Sequence, residues 1–141
     1  MFENISDEVI NTIKNIIEEK DQCKLQVNKS YQTYWLQNLP ETEFRLSRLG
    51  DLQILISRVC FRNRRCGTMS AILQVLKEYC AEEKIKRIRI QSVETYEMMQ
   101  FCIKHDMKPW RDNIWINNIL MGDYDLEIEE MEKYYNSGSI S

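Results

Sequence analysis

Apolar side chains recur at the spacing of an α-helix in three segments of the chain. The pattern predicts helices at about residues 7–20, 69–84 and 96–105. Ser6 stands before the first segment and Thr95 before the third, and both residue types are favoured at helix N-caps. The hydrophobic pattern and the capping residues therefore agree on where two of the three helices begin.

Strand-like patterns fill the segments between these helices. Alternating or β-favouring residues predict strands at residues 24–28, 43–49, 52–61, 86–93 and 110–121. Gly50 and Asp51 join the second and third strands in the manner of a hairpin turn. The segment that contains Tyr31, Tyr34 and Trp35 fits either a strand or a loop.

Composition indicates a folded globular protein, because 43% of the 141 residues are hydrophobic and 29% are charged. We expect one domain over residues 1–135, with a short acidic helix at 123–135, and a flexible tail at 136–141. No apolar run approaches the roughly 20 residues of a membrane helix. The N-terminus does not resemble a secretory signal. We therefore expect a cytoplasmic protein without a membrane partner.

The five cysteines are Cys23, Cys60, Cys66, Cys80 and Cys102. Their number is odd and no two of them have C-x-x-C spacing, which argues against a disulfide framework and against a zinc site. His105 is the single histidine, so the sequence contains only one imidazole that could bind a metal. We expect no bound metal.

Charge is distributed unevenly, although the net charge is only −3 from 19 basic and 22 acidic residues. No acidic residue occurs between Leu52 and Lys77, and this segment contains the basic residues Arg58, Arg62, Arg64, Arg65 and Lys77. Such a segment indicates a local anion site. The net charge and the lack of a flanking aromatic platform argue against a nucleic-acid partner.

Residues 64–69 join a predicted strand to a predicted helix and have the chemistry of a phosphate site. The start of a helix carries unpaired N–H groups and partial positive charge. Gly67 permits a close approach of the backbone to an oxyanion. Arg64 and Arg65 add charge-assisted hydrogen bonds. The same residues also fit an ordinary solvated loop.

The order of these elements resembles the GNAT family of acetyl-CoA-dependent N-acyltransferases. In that family a strand ending in Val is followed by a short loop and by [Q/R]-x-x-G-x-[G/A], which opens a long helix. Arg64 and Gly67 match that motif, and Val59 lies at a fitting distance before it. The resemblance covers roughly residues 43–121. It implies an α/β (α+β) fold, with a mixed, mostly antiparallel central sheet flanked by helices.

The resemblance also implies a cofactor site and a reaction. The backbone of Ser57, Arg58 and Val59 would line the pantetheine arm of acetyl-CoA. The pyrophosphate would lie among Arg64, Arg65, Cys66, Gly67, Thr68 and Met69. The implied activity is that of an N-acetyltransferase, in which an amine acceptor attacks the thioester directly. The sequence leaves open whether the acceptor is a small amine or a protein.

Catalytic residues are less clearly marked. Cys102 stands where the family commonly has the Tyr that protonates the leaving thiolate, and a thiol with a pKa of about 8.5 fits that role. A packed core residue is the alternative interpretation. Glu43 is a candidate base acting through water, as acidic residues do in some family members. His105 fits either a base or a contact with helix-end carbonyls.

Two departures from the family motif lead to an alternative function. Met69 stands where the family has Gly or Ala, so its side chain is expected to crowd the cofactor. Cys102 replaces the proton-donating Tyr. The alternative is a catalytically degenerate GNAT-fold protein that acts as a protein-binding or regulatory module.

Overall fold

The computed structural model describes residues 4–128 of the chain. Within these residues the elements are α1 Asp7–Asp21, β1 Gln26–Ser30, β2 Thr33–Asn38, β3 Thr42–Leu49, β4 Gln53–Cys60, α2 Thr68–Glu83, β5 Arg87–Val93, α3 Tyr96–Lys104, β6 Lys108–Pro109, β7 Ile114–Ile116 and β8 Ile119–Glu127. The three helices predicted at about residues 7–20, 69–84 and 96–105 and the predicted hairpin at Gly50 are confirmed. The segment that fitted either a strand or a loop forms β2.

The strands form a sheet in the order β1-β2-β3-β4-β5-β8-β6, with β7 paired to β8 outside this path. Neighbouring strands are antiparallel except for β4 and β5, which are parallel and are connected through α2. The predicted fold class is therefore confirmed: a mixed, mostly antiparallel sheet flanked by helices.

The parallel strands β4 and β5 separate before they end. Their pairing runs from Gln53–Arg87 to Ile56–Ile90 and stops there. On the other side of β4 the pairing with β3 shifts by one residue, because Leu46 pairs with Ile56 and the preceding Arg45 pairs with Arg58. Ser57 is thus the extra residue of a β-bulge, which bends a strand locally.

One hydrophobic core joins the sheet to the three helices. It contains Ile13 and Ile17 of α1, Ile72 and Leu76 of α2, Met99 and Cys102 of α3, and Leu36, Phe44, Leu46, Ile54, Ile56, Ile88, Ile90 and Tyr124 of the strands. The strand members alternate with more exposed residues, as expected for a sheet with one covered face. Within residues 4–128, no helix is both long and apolar enough to cross a bilayer.

The helix caps agree with the sequence. The Ser6 hydroxyl accepts a hydrogen bond from the Val9 N–H at 3.2 Å. The Thr95 hydroxyl accepts one from the Met98 N–H, also at 3.2 Å. Each cap satisfies a backbone donor that the first turn of a helix otherwise leaves unpaired.

The single strand predicted at residues 110–121 is wrong. The chain reverses at Asn117 and Asn118, which have φ angles of 50° and 66°, and forms the β7–β8 hairpin. Two successive residues with positive φ are what a tight hairpin turn needs, and asparagine adopts this conformation more readily than most residues. The Asn-Asn pair was the turn signal in this run.

The acidic helix predicted at residues 123–135 is wrong where it overlaps β8. Successive residues of a strand face opposite sides of the sheet. Tyr124 lies in the core, whereas Asp125 accepts two hydrogen bonds from Arg89 at 2.7 and 2.9 Å. This ion pair joins residues 36 positions apart and gives the Asp125 carboxylate a partner within the sheet. The remainder of that segment and the tail predicted at 136–141 lie outside the described residues.

Arg48 connects three parts of the fold through a buried guanidinium, only 1% of which is exposed. It donates to the Tyr79 hydroxyl at 2.8 Å and to the Gly50 carbonyl at 3.0 Å. It also pairs with Glu83 at 3.2 Å and reaches the Asn4 carbonyl at 3.4 Å. The β3–β4 hairpin, the end of α2 and the segment before α1 therefore share one cation.

We expect Arg48→Met to lower the free energy of unfolding by about 3 kcal/mol, because it removes every hydrogen bond of a buried cation and takes a donor away from the buried Tyr79 hydroxyl. Urea denaturation followed by circular dichroism measures this. Lys77→Met, at an exposed position of α2, is the matched control and should change stability little. A loss below about 1 kcal/mol for Arg48→Met would contradict the linking role.

Candidate functional site

Two adjoining cavities open at the carboxyl ends of β4 and β5. Their volumes are about 870 and 240 Å³, and both walls include Val59, Thr95 and Met98. In open α/β sheets, ligands typically bind beyond the carboxyl ends of the strands. We call them the large cavity and the small cavity.

The small cavity lies where β4 and β5 have separated. Its walls are residues 56–59 on one side and residues 90–95 on the other, together with Met98. Ser57, Arg58 and Val59 have no pairing partner on β5. The backbone on this side of β4 can therefore pair with an extended ligand in the way that it would pair with a strand.

The large cavity brings together the whole loop segment singled out in the sequence. Its wall includes Arg64, Arg65, Cys66, Gly67, Thr68 and Met69. Gly67 is the N-cap of α2, with a φ of +78°, and no side chain caps this helix. The first turn of α2 also contains no acidic residue, whereas α1 and α3 each have a side-chain cap and an acidic residue there. The start of α2 is left electropositive.

Thr68 adds a donor that the fold does not use. The residue is 3% exposed, and its Oγ1 atom has no hydrogen-bond partner among residues 4–128. An unpaired buried hydroxyl is costly unless another molecule supplies the partner. Because Thr68 lies in the wall of the large cavity, the missing partner fits an oxygen atom of a bound anion.

Arg64 and Arg65 extend from the same loop and face Glu97 of α3. The shortest nitrogen–oxygen distances to the Glu97 carboxylate are 4.0 Å from Arg64 and 3.4 Å from Arg65. The two arginine side chains are 73% and 83% exposed, so these ion pairs are weak and easily exchanged. Both guanidinium groups can turn to an anionic ligand.

Asp21, at the end of α1, fixes the beginning of the loop. Its carboxylate is fully buried and accepts hydrogen bonds from the backbone N–H groups of Arg62 and Asn63 at 2.8 and 3.1 Å. It also accepts one from the Thr42 hydroxyl at 2.6 Å. The Asn63 side chain donates in turn to the Lys20 carbonyl at 2.7 Å. The loop is thereby held against α1 before it reaches Gly67.

The sequence analysis missed the contribution of α3. Glu97, Gln100, Phe101 and Lys104 all lie in the wall of the large cavity. Their spacing of three, four and seven residues from Glu97 is that of one helix face, which is a signal present in the sequence. Only their packing against the loop, which lies more than thirty positions away at Arg65, makes that face part of the site.

Met69 does not fill the site as its size suggested. It is 7% exposed and belongs to the core cluster. The cavity in front of it keeps a volume of about 870 Å³. The larger side chain is thus accommodated mostly by the core rather than by the cavity.

Cys102 lies in the core and lines neither cavity within the described part of the chain. Burial raises the pKa of its thiol to about 12. The thiol stays protonated near neutral pH, but it lies apart from both cavities.

Glu43 is held by three donors on β2, β3 and β4. The carboxylate accepts from Gln37 at 2.8 Å, from Arg45 at 3.3 Å and from Arg58 at 3.2 Å. Burial alone would raise the pKa of Glu43, but the hydrogen bonds from Gln37, Arg45 and Arg58 outweigh it and lower the pKa. Glu43 is therefore ionised near neutral pH, with both oxygen atoms engaged.

His105, at the end of α3, and Tyr34, on β2, both have hydrogen-bond partners. The His105 Nε2 atom lies 3.2 Å from the hydroxyl of Ser70, a residue in the wall of the large cavity. Burial, and then Lys104 and Lys77, lower the pKa of His105. Tyr34 is buried with its hydroxyl on the Ile5 carbonyl, and within residues 4–128 it lines neither cavity.

No protein-family model matches this sequence, and no curated protein matches it. Solved structures do match. A Lactobacillus plantarum protein assigned as an N-acetyltransferase has a TM-score of 0.51 at 15% identity, over 85% of this chain and 88% of that chain. A Chromobacterium violaceum protein assigned to the GNAT acetyltransferases has a TM-score of 0.52 at 10% identity, over 73% of this chain and 60% of that chain. The chain therefore has the GNAT fold, as its motif and element order predicted.

The lowered pKa of Glu43 makes stability depend on pH. A carboxyl group with a depressed pKa in the folded state stabilises the fold above its unfolded pKa, about 4.3 for Glu, and this contribution is lost as pH falls through the folded value. We expect Glu43→Gln to lower the free energy of unfolding by about 1 kcal/mol at pH 7. The difference from wild type should shrink progressively below about pH 4.

Urea titrations across this pH range measure the difference. Glu41→Gln is the control, at an exposed position on the same β2–β3 hairpin. A destabilisation by Glu43→Gln that stays constant down to the lowest pH would show that loss of the ionised carboxylate is not its cause.

Proposed function

We propose that the chain binds acetyl-CoA across the two cavities and transfers the acetyl group to an amine by direct attack. The observation that carries this proposal is the electropositive start of α2, with the unpaired Thr68 hydroxyl, beside the gap between β4 and β5. The GNAT fold of the chain supports it.

The two cavities fit the two parts of this co-substrate. The pantetheine arm would pair with the backbone of residues 57–59 in the small cavity. The pyrophosphate would accept hydrogen bonds from the first N–H groups of α2 and from Thr68, with Arg64 and Arg65 adding charge. A combined volume near 1,100 Å³, from 870 and 240 Å³, is ample for a ligand of this size.

The chain contributes mainly by positioning the reactants. Acetyl-CoA supplies an acyl group that is already activated as a thioester. The amine nitrogen bonds to the acyl carbon, and the carbon–sulfur bond breaks with its electron pair going to sulfur. The nitrogen loses one proton, and the thiolate gains one from the protein or the solvent, so the products are an amide and the free CoA thiol. Backbone N–H groups of β4 that have no partner on β5 are placed to donate to the developing oxyanion.

We propose a residue other than Glu43 or Cys102 for the proton transfer. Neither Glu43 nor Cys102 lines a cavity in the described part of the chain. Glu94 is exposed in the wall of the small cavity, so it is placed to take the amine proton directly or through water. Acetyl as the acyl group, a cytoplasmic location and a single domain over residues 1–135 remain parts of this proposal.

The second candidate function, a protein-binding module that has lost the chemistry, is favoured by one feature. Ile114 and Trp115 of β7 are 60% and 67% exposed, a pair of large apolar side chains on a short strand. Exposed apolar surface of this kind often marks an interaction site. Such a module would bind a partner without releasing CoA from acetyl-CoA in the presence of any amine.

We expect Gly67→Asp to weaken acetyl-CoA binding by about 100-fold or more, because it places a carboxylate at the proposed pyrophosphate site. Calorimetric titration with acetyl-CoA and with CoA measures this, starting from an expected wild-type affinity in the micromolar range, about −8 kcal/mol.

Two further variants separate charge from backbone strain. Gly67→Ala tests the strain alone, since a Cβ atom at this position meets nothing within 4 Å but φ is +78°. Gly50→Asp adds the same carboxylate at a hairpin turn with φ +56°, on the far end of β4. Equal affinity of wild type and Gly67→Asp would exclude the proposed pyrophosphate site, and equal losses in Gly67→Asp and Gly50→Asp would exclude a local effect.

A further inference from the structure

Arg58 presents a partly engaged guanidinium in the wall of the small cavity. Its Nε atom donates to Glu43 Oε1 at 3.2 Å, and its side chain is 57% exposed. Within residues 4–128, neither of its terminal nitrogens makes a hydrogen bond or an ion pair. The guanidinium is held at Nε by Glu43, and its two terminal nitrogens can donate hydrogen bonds to a ligand.

The anchor is itself fixed, because Glu43 is held by Gln37 and Arg45 as well as by Arg58. One carboxylate thus serves two guanidinium groups, and the cluster keeps a net positive charge. A guanidinium that is already oriented loses less side-chain entropy when it binds an anion. This favours carboxylate, whose two oxygen atoms match the paired N–H groups of arginine.

The opposite wall of the small cavity carries the opposite charge. Of the residues lining this cavity in the described chain, Arg58 and Glu94 are the charged ones. Arg58 lies on β4, and Glu94 follows the end of β5. The gap between the strands is therefore flanked by a cation on one side and an anion on the other.

We propose that the acceptor is an amine that also carries a carboxylate, as an amino acid does. Arg58 binds the carboxylate through its terminal nitrogens, and Glu94 attracts the amino group and takes its proton. Fixing the carboxylate holds the nitrogen close to the acyl carbon, which is the main contribution that positioning makes to such a transfer. This inference rests on the proposed acetyl transfer.

Matched acceptors test the inference. The purified 141-residue chain is assayed with acetyl-CoA and with glycine, glutamate or phenylalanine, each compared with its own carboxamide. Release of the CoA thiol and mass spectrometry of the acetylated product measure the reaction. We expect kcat/KM to favour the free carboxylate by about tenfold or more, the size of a hydrogen-bonded charge pair.

Variants assign the preference to the side chain. Arg58→Gln should bring the carboxylate-to-carboxamide ratio close to one, and Arg58→Lys should retain part of it. Glu43→Gln should raise KM for the carboxylates more than it lowers kcat, because the guanidinium is retained but the carboxylate that orients it is lost. Arg111→Gln, at an exposed position outside both cavities, is the control and should keep the wild-type ratio.

The possible results separate this inference from the function on which it rests. Acetylation of carboxylates and carboxamides at equal rates would overturn the inference and leave the proposed transfer standing. A preference that persists in Arg58→Gln would also overturn it. No acetylation of any of these acceptors would overturn the inference, and calorimetry with acetyl-CoA would then show separately whether the cofactor site of the proposed transfer survives.

Discussion

The separation of β4 and β5 beyond Ile56 and Ile90 is the constraint from which the site follows. Parallel strands need a crossover connection, and here that connection contains α2. The crossover starts at the end of β4, so the first turn of α2 lies beside the gap that the strands leave. The bulge at Ser57 falls at the first residue of β4 beyond this pairing, where it bends the strand. One topological feature therefore supplies both a slot and a helix N-terminus.

The positions of nearby carboxylates keep the start of α2 electropositive. Asp21 accepts hydrogen bonds from the two N–H groups at the start of the loop, so its carboxylate is engaged there and not at Gly67. The first turn of α2 has no acid of its own. Glu97 approaches the loop arginines only through exposed, weak ion pairs. The N–H groups of the helix and the arginines therefore remain open to an anionic ligand.

The sequence revealed those features that depend on local pattern. The helices, the Gly50 hairpin and the loop before α2 rest on periodicity, caps and a glycine, which act within a few residues. The β8 strand was not predicted beyond Met121, because the partner of its acidic residue Asp125 is Arg89, which lies on β5. The burial of Cys102 and the cavity-facing side of α3 likewise depend on which elements pack together. The spacing along α3 shows that these residues share a face, but no local pattern shows which distant residues that face contacts.

Glu43 and Glu94 illustrate how environment divides roles between two carboxylates near one site. Glu43 is engaged by three donors that keep it ionised, so its proton affinity is low and its effect is to orient Arg58. Glu94 is exposed in the wall of the small cavity and is free of such a network. A carboxylate that positions a cation needs full engagement, whereas one that accepts a proton needs access to it. In the proposed transfer, Glu43, which the sequence marked as a candidate base, would therefore orient Arg58, and Glu94, which the gap between the strands exposes, would take the proton.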